Sequence, residues 1–198
     1  MTEHTTTQVK VWDGLVRGFH WLMLLAFVAA YLTSQFGMQQ THILIGYLIT
    51  LLLIVRITWG FVGSQHARFS DFIATPAAVW RYLKASFRND PPHYLGHNPA
   101  GGWMVLVLMG ALLLMAISGV ILVAVIEFEG PLLGLLSGMS DQWAYRFSEL
   151  HEWVLDLLWL LIAGHLLGVV VASIQHKENL PHAMVTGYKT INKDKGKQ

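Results

Sequence analysis

The stretch Ser148–Gln175, SELHEWVLDLLWLLIAGHLLGVVVASIQ, decides how this chain is read. It has no Lys, Arg, Asp or Glu between Leu157 and His176. It is long enough for a membrane-crossing helix, which needs about 20 mostly apolar residues. Yet it carries two histidines, His151 and His165, fourteen residues apart. That spacing is close to four helical turns. The two imidazoles therefore fall within about 40° of one helix face, roughly 21 Å apart along the axis. Polar groups in such a helix are costly and turn toward a bundle interior.

Three more apolar runs flank this one. The predicted spans are residues 16–34, 41–62, 100–126 and 148–175. The whole chain has 198 residues, of which 54% are hydrophobic and 13% charged. Soluble domains average about 25% charged residues, so this composition cannot keep a soluble surface. The expected fold is all-α: an integral membrane four-helix bundle forming one domain over residues 1–190, with a mobile polar tail at 191–198. Composition excludes a disordered chain, a collagen-like repeat and a disulfide scaffold. There is no cysteine, which removes thiolate catalysis, Fe–S clusters, Cys-ligated zinc and covalent c-type haem attachment. Residues 1–15 are polar and no small-residue cleavage site follows the first run. That run is expected to be an uncleaved signal anchor.

Charge placement predicts orientation. Lys10 and Arg17 precede the first span. Arg68, Arg81, Lys84 and Arg88 lie between the second and third. Lys177, Lys189, Lys193, Lys195 and Lys197 follow the fourth. Eleven of the thirteen basic residues thus share one side. The other side has Arg146 and the acids Glu127, Glu129, Asp141, Glu149, Glu152 and Asp156. The positive-inside rule then puts both termini in the cytoplasm. On the inner loop, Thr75-Pro76 reads as a helix cap and first turn. Val79, Trp80, Leu83 and Phe87 follow on one face beside Arg81, Lys84 and Arg88, as in a short interfacial helix. The outer loop 130–139 is glycine-rich and apolar. Trp12, Trp21, Trp59, Trp103, Trp143 and Trp153 lie near span ends, where interface anchors are common.

Four histidines fall within spans: His20, His42, His151 and His165. By depth, His20 pairs with His165 in the inner half, and His42 with His151 in the outer half. Two imidazoles facing each other across a bundle are what a six-coordinate b-type haem needs. Gly18, Gly46, Gly164 and Gly168 lie beside them and leave room for a flat macrocycle; ordinary small-residue packing explains any one of them equally well. A bare metal ion fits less well, because the inner pair lacks carboxylates. Arg17 and Arg56 either hold haem propionates or reach lipid phosphates. His4, His66, His93, His97, His176 and His182 lie in tails or inner loops and read as solvated or interfacial.

The ordered motifs resemble the bacterial cytochrome b561 family, which includes the b-type cytochrome subunits of nickel hydrogenases. They are Val11-Trp12-Asp13 with Arg17-Gly18-Phe19-His20-Trp21, then His42 to Tyr47, and Arg56 to Phe61. Gly96-His97-Asn98-Pro99-Ala100-Gly101, Leu150-His151, Gly164-His165-Leu166, Glu178-Asn179-Leu180 and Met184 to Gly187 complete the set. The resemblance implies two b haems held by His20, His42, His151 and His165. It also implies electron transfer in a respiratory chain between membrane quinone and an outer-face redox partner, a c-type cytochrome or a dehydrogenase. A stand-alone superoxide-oxidising, quinone-reducing oxidoreductase is the alternative the resemblance leaves open. A non-redox ion carrier using its histidines is a third reading, from the residues alone. No residue is assigned as catalytic, and membrane lipid but no nucleic acid is expected as a partner.

Overall fold

The computed structural model describes residues 6–192. In chain order the elements are strand β1 (Thr6–Lys10), α1 (Gly14–Gln35) and α2 (Gln39–Val62). A short 3-10 turn (Gln65–Ala67), α3 (Phe69–Phe72) and α4 (Pro76–Phe87) follow. Then come α5 (Pro99–Val125), α6 (Leu133–Leu136), α7 (Asp141–His176), α8 (Leu180–Thr186) and strand β2 (Tyr188–Asn192). Four of these, α1, α2, α5 and α7, are long and apolar enough to cross a membrane.

Local chemistry explains where these helices begin. The Asp13 carboxylate accepts from Val16 N at 2.8 Å and caps α1. Asn98 Oδ1 accepts from Gly101 N at 2.7 Å, with Pro99 in the first helical position of α5. Thr75 caps α4 as the sequence predicts, accepting from Ala78 N. The largest difference from the expected spans is in α7, which starts at Asp141 rather than Ser148. Apolarity marks the part of a helix that can lie in lipid, not the whole helix. The polar turns Asp141–Phe147 carry no such signal. At about 1.5 Å per residue, a helix of 36 residues is much longer than a hydrocarbon core of about 30 Å.

The chain divides into two compact units. The central unit comprises residues 19–57 and 105–163. Its core draws on all four long helices: Met23, Ala26 and Phe27 from α1, Ile49 and Leu53 from α2, Ala111, Leu112 and Ala116 from α5, and Val154 and Leu158 from α7. Leu25, Leu44 and Leu160 are exposed on the outside, as apolar side chains that meet lipid should be.

The terminal unit comprises the residues up to 18, then 58–104, and those from 164 onward. Strands β1 and β2 pair antiparallel, with Lys10 opposite Tyr188 and Thr6 opposite Asn192. Val11 N and Trp12 N both donate to the Gly187 carbonyl. Residues 191 and 192 therefore belong to a strand rather than to a free tail; the rest of that expected tail, and His4, lie outside the described residues. Beneath the sheet, Val11, Trp12, Val16, Ala67 and Ala183 form a second core. Trp12 is only 6% exposed, so it is a core residue and not an interface anchor. Asp13 also accepts from Trp59 Nε1 at 2.9 Å and from the Ser64 hydroxyl. Burial works to raise its carboxyl, but these bonds and those from the backbone outweigh it, and the carboxyl stays below its ordinary value.

An ion cluster ties β2 to the loop before α5. Glu178 accepts from His93 Nε2 at 2.5 Å, and Lys189 Nζ lies 3.2 Å from its other oxygen. Lys189 also donates to the Tyr94 carbonyl, and the His176 ring lies 5.4 Å from His93. Burial pushes the Glu178 carboxyl up; the His93 hydrogen bond and the Lys189 charge more than offset this and hold it below the ordinary range. A depressed carboxyl contributes stability above its unfolded pKa of about 4.3, and that contribution disappears as pH falls through the folded value. Acidification below about pH 4.3 is therefore expected to loosen β2. Amide exchange of residues 188–190 against pH should show this loss in the native chain and a flat response in Glu178→Gln.

Candidate functional site

In the central unit, His42 stands near the start of α2 and His151 in the third turn of α7. Their ring centroids are 6.3 Å apart with planes at 77°. Two imidazoles on opposite sides of one metal need about this spacing, given metal–nitrogen bonds of about 2 Å. The tautomers are also fixed. His42 Nδ1 lies 2.9 Å from the Ala30 carbonyl, which can only accept, so Nδ1 carries the proton. His151 Nδ1 lies 2.8 Å from the Ser118 hydroxyl, which itself donates to the Met115 carbonyl at 2.9 Å. The Ser118 oxygen is then the acceptor and His151 Nδ1 the donor. Both rings are left with a bare Nε2 lone pair, the form in which imidazole binds iron.

Both histidines line a cavity of about 340 Å³. Its walls are apolar along Phe27, Ile49, Leu112 and Ala116, and polar groups such as Gln39, Glu127 and Glu152 also line it. Gly46 and Gly119 line it too. A Cβ on Gly46 would meet nothing within 4 Å, and one on Gly119 would come within 3.3 Å of His151 Cε1. So Gly46 faces open space and Gly119 keeps the His151 ring uncrowded. Among the described residues, no group of three or more His, Asp or Glu converges to hold a bare metal ion. The other ligands of a metal between these rings must come from the bound molecule itself. An iron porphyrin supplies four, and the residues present fit it.

Ser118 is 1% exposed and was not legible as part of this site, because its role depends on reaching His151 from another helix. Partners that orient a metal-bound histidine typically matter 10- to 100-fold in metal affinity. Ser118→Ala is expected to weaken haem retention by roughly that factor, read as haem lost to an apo-globin scavenger, with the helix content unchanged.

The remaining candidates fall into different surroundings. His20, in the central unit, is half-buried with its ring edge-on to Trp21 at 5.1 Å. His165 belongs to the terminal unit and is also half-buried; Gly164 beside it lies against Met104, at 3.5 Å from a would-be Cβ. Arg56 is 3% exposed. Arg17 Nη1 donates to the Val185 carbonyl, while its Nε is buried with no hydrogen-bond partner. Gly18 and Gly168 border open space. Of the loop histidines, His66 bonds Asp71 at 2.9 Å and His93 bonds Glu178. His97 is half-buried between the rings of Trp12 and Phe72, at 4.6 and 4.8 Å, rather than solvated. His176 closes α7 instead of lying in a loop.

Four membrane-crossing helices with a facing pair of Nδ1-protonated histidines around a largely apolar cavity fit a membrane haem protein of the b type. The model of one family, prokaryotic cytochrome b561, matches residues 11–187. The chain belongs to that family: it is a multi-pass bacterial membrane protein and a b-type cytochrome of electron transport, with haem b as its cofactor. Among curated relatives, it is 24% identical to a probable Ni/Fe-hydrogenase B-type cytochrome subunit of Azotobacter chroococcum mcd 1, covering 96% of this chain and 91% of that one. It is 25% identical to proteins of the same description from Azotobacter vinelandii and Rhodobacter capsulatus, covering 96% of this chain in both cases and 91% and 84% of theirs. No solved structure matches.

Proposed function

We propose that the chain binds two b haems and passes electrons between membrane quinone and a redox partner on the outer side, with both termini on the inner side. His42 and His151 hold one haem and His20 and His165 the other. The facing geometry of His42 and His151, with each Nδ1 tied up by an acceptor, is the observation that carries this reading. Arg56 and Arg17 hold propionates. The buried guanidinium of Arg56 and the unpartnered Arg17 Nε are the groups that favour an anion there.

When bound, the haem supplies one-electron exchange. The chain's residues do the rest. The four imidazoles would be the groups that hold the two haems, and the apolar helix walls around them would shield the sites from water. Ser118 and the Ala30 carbonyl hold the ring orientation of the outer pair. The names of the relatives favour a hydrogenase as the outer partner, and this chain spans most of their length. The lysine and arginine bias supports the orientation.

The test begins with the haem count. Purified protein is expected to carry two low-spin haems per chain, both reducible by a short-chain quinol. One haem per chain, or none reducible by quinol, would refute the reading. To separate partners, a hydrogenase with hydrogen and a reduced basic c-type cytochrome are each offered to the protein in vesicles. Haem reduction by the hydrogenase alone supports the hydrogenase assignment; reduction by the c-type cytochrome alone replaces it.

A further inference from the structure

The helix α4 divides into three sectors when its residues are placed about 100° apart around the axis. Tyr82 and Ser86 form the sector that packs on protein. Tyr82 is buried, with its ring 6.0 Å from Tyr94. The Ser86 hydroxyl donates to Gln175 Oε1 at 2.9 Å, and Gln175 Nε2 donates back to the Ser86 carbonyl at 2.7 Å. Val79, Trp80, Leu83 and Phe87 form a second, apolar sector that the chain leaves open: Trp80 is 60% and Phe87 89% exposed. Arg81, Lys84 and Arg88 make up the third, and all three lie on one flank of the apolar sector. All are exposed. Lys84 Nζ stands 5.3 Å from the Trp80 ring.

Between α4 and the start of α5 lies a groove of about 150 Å³ lined by Pro76, Val79, Trp80, Leu83 and Trp103. Its far wall is fixed, because Trp103 Nε1 donates to the Ala74 carbonyl at 2.8 Å. Depth follows from the attachments. Gln175 is the penultimate residue of α7, and Trp103 lies in the first turns of α5. The helix α4 is thus held against the ends of two membrane-crossing helices, at the level where headgroups meet acyl chains.

We propose that the groove and its basic flank form a binding site for one anionic phospholipid. An acyl chain lies along Val79, Trp80, Leu83 and Trp103, and the phosphate meets Arg81, Lys84 and Arg88. An apolar slot open to the bilayer and a single-sided basic flank match the two halves of that one molecule. The site is independent of the haem assignment.

Native mass spectrometry of the full chain tests it, with equimolar dioleoylphosphatidylglycerol and dioleoylphosphatidylcholine as probes. These share acyl chains and differ in headgroup charge. The phosphatidylglycerol adduct is expected to dominate by at least about fivefold, the factor for one basic residue near an anionic lipid surface. Arg81→Gln/Lys84→Gln/Arg88→Gln is expected to bring the ratio close to one with the haem spectrum unchanged. Leu83→Trp, which fills the groove, is expected to reduce both adducts. Equal binding by the native chain, or a preference that survives the triple substitution, overturns the proposal. Should the triple variant not fold, the native chain in high salt gives the same answer: the preference falls toward one, and a salt-insensitive ratio overturns the site. Inorganic phosphate at millimolar concentration is expected not to displace the lipid; displacement would overturn the acyl-chain half.

Discussion

Replacing His151 with alanine is expected to lower the haem count from two per chain to one. The argument rests on how that imidazole is held. Its Nδ1 proton goes to Ser118, and its ring faces His42 across 6.3 Å. Without it, only His42 would remain to hold that haem. The fold should persist. His151 is not a member of the central core cluster, whose nearest members on α7 are Val154 and Leu158. A pyridine haemochrome assay against protein concentration gives the count, and circular dichroism gives the helix content. A count of one with native helix content is the expected result. A count of two would show that His151 is no ligand, whereas a count of zero with lost helicity would report a folding defect instead.

The second large effect lies outside the four long helices. Gly187→Val is expected to destabilise the terminal unit by about 3 kcal/mol. Gly187 has φ +89°, a left-handed conformation that a β-branched residue adopts only under strain. A Cβ there would stand 2.7 Å from the Trp12 carbonyl oxygen, which belongs to the backbone and cannot swing aside. The same residue accepts the bonds from Val11 N and Trp12 N, so any shift also weakens the junction of β1 with β2. For a chain of this size the melting temperature should fall by roughly 6–12 °C. Gly110→Ala is the control. Its Cβ would meet nothing within 4 Å and its φ is ordinary, so no loss is expected. Equal melting of Gly187→Val and the native chain would mean that this turn is not held as described.

The two regions were unequally legible in the sequence. Membrane spans announce themselves because every backbone group must be satisfied within the helix and nearly every side chain must tolerate lipid. That is why His42 and His151 could be ranked by depth before any geometry was known. Their partners could not. Ser118 is an ordinary serine in an apolar run, and its role appears only when α5 and α7 pack. The Ala30 carbonyl leaves no trace in sequence at all. The strands leave no signal in the sequence for a related reason. Thr6–Lys10 and Tyr188–Asn192 are short and polar, and their pairing spans almost the whole chain, so no local pattern signals it. Trp12 and His97 depart from the sequence expectation because a position near a span end suggests an interface, whereas both pack into the terminal unit.

The pairing of β1 with β2 also sets an order in time. During synthesis β1 emerges first, yet its hydrogen-bonding edge has no partner until α7 and α8 have been made. At about 5–20 residues per second, that wait is on the order of ten to thirty seconds. All four long helices lie between the two strands in the chain, so all four have been synthesised before the strands can meet. The sheet can therefore form only once nearly the whole chain has been made.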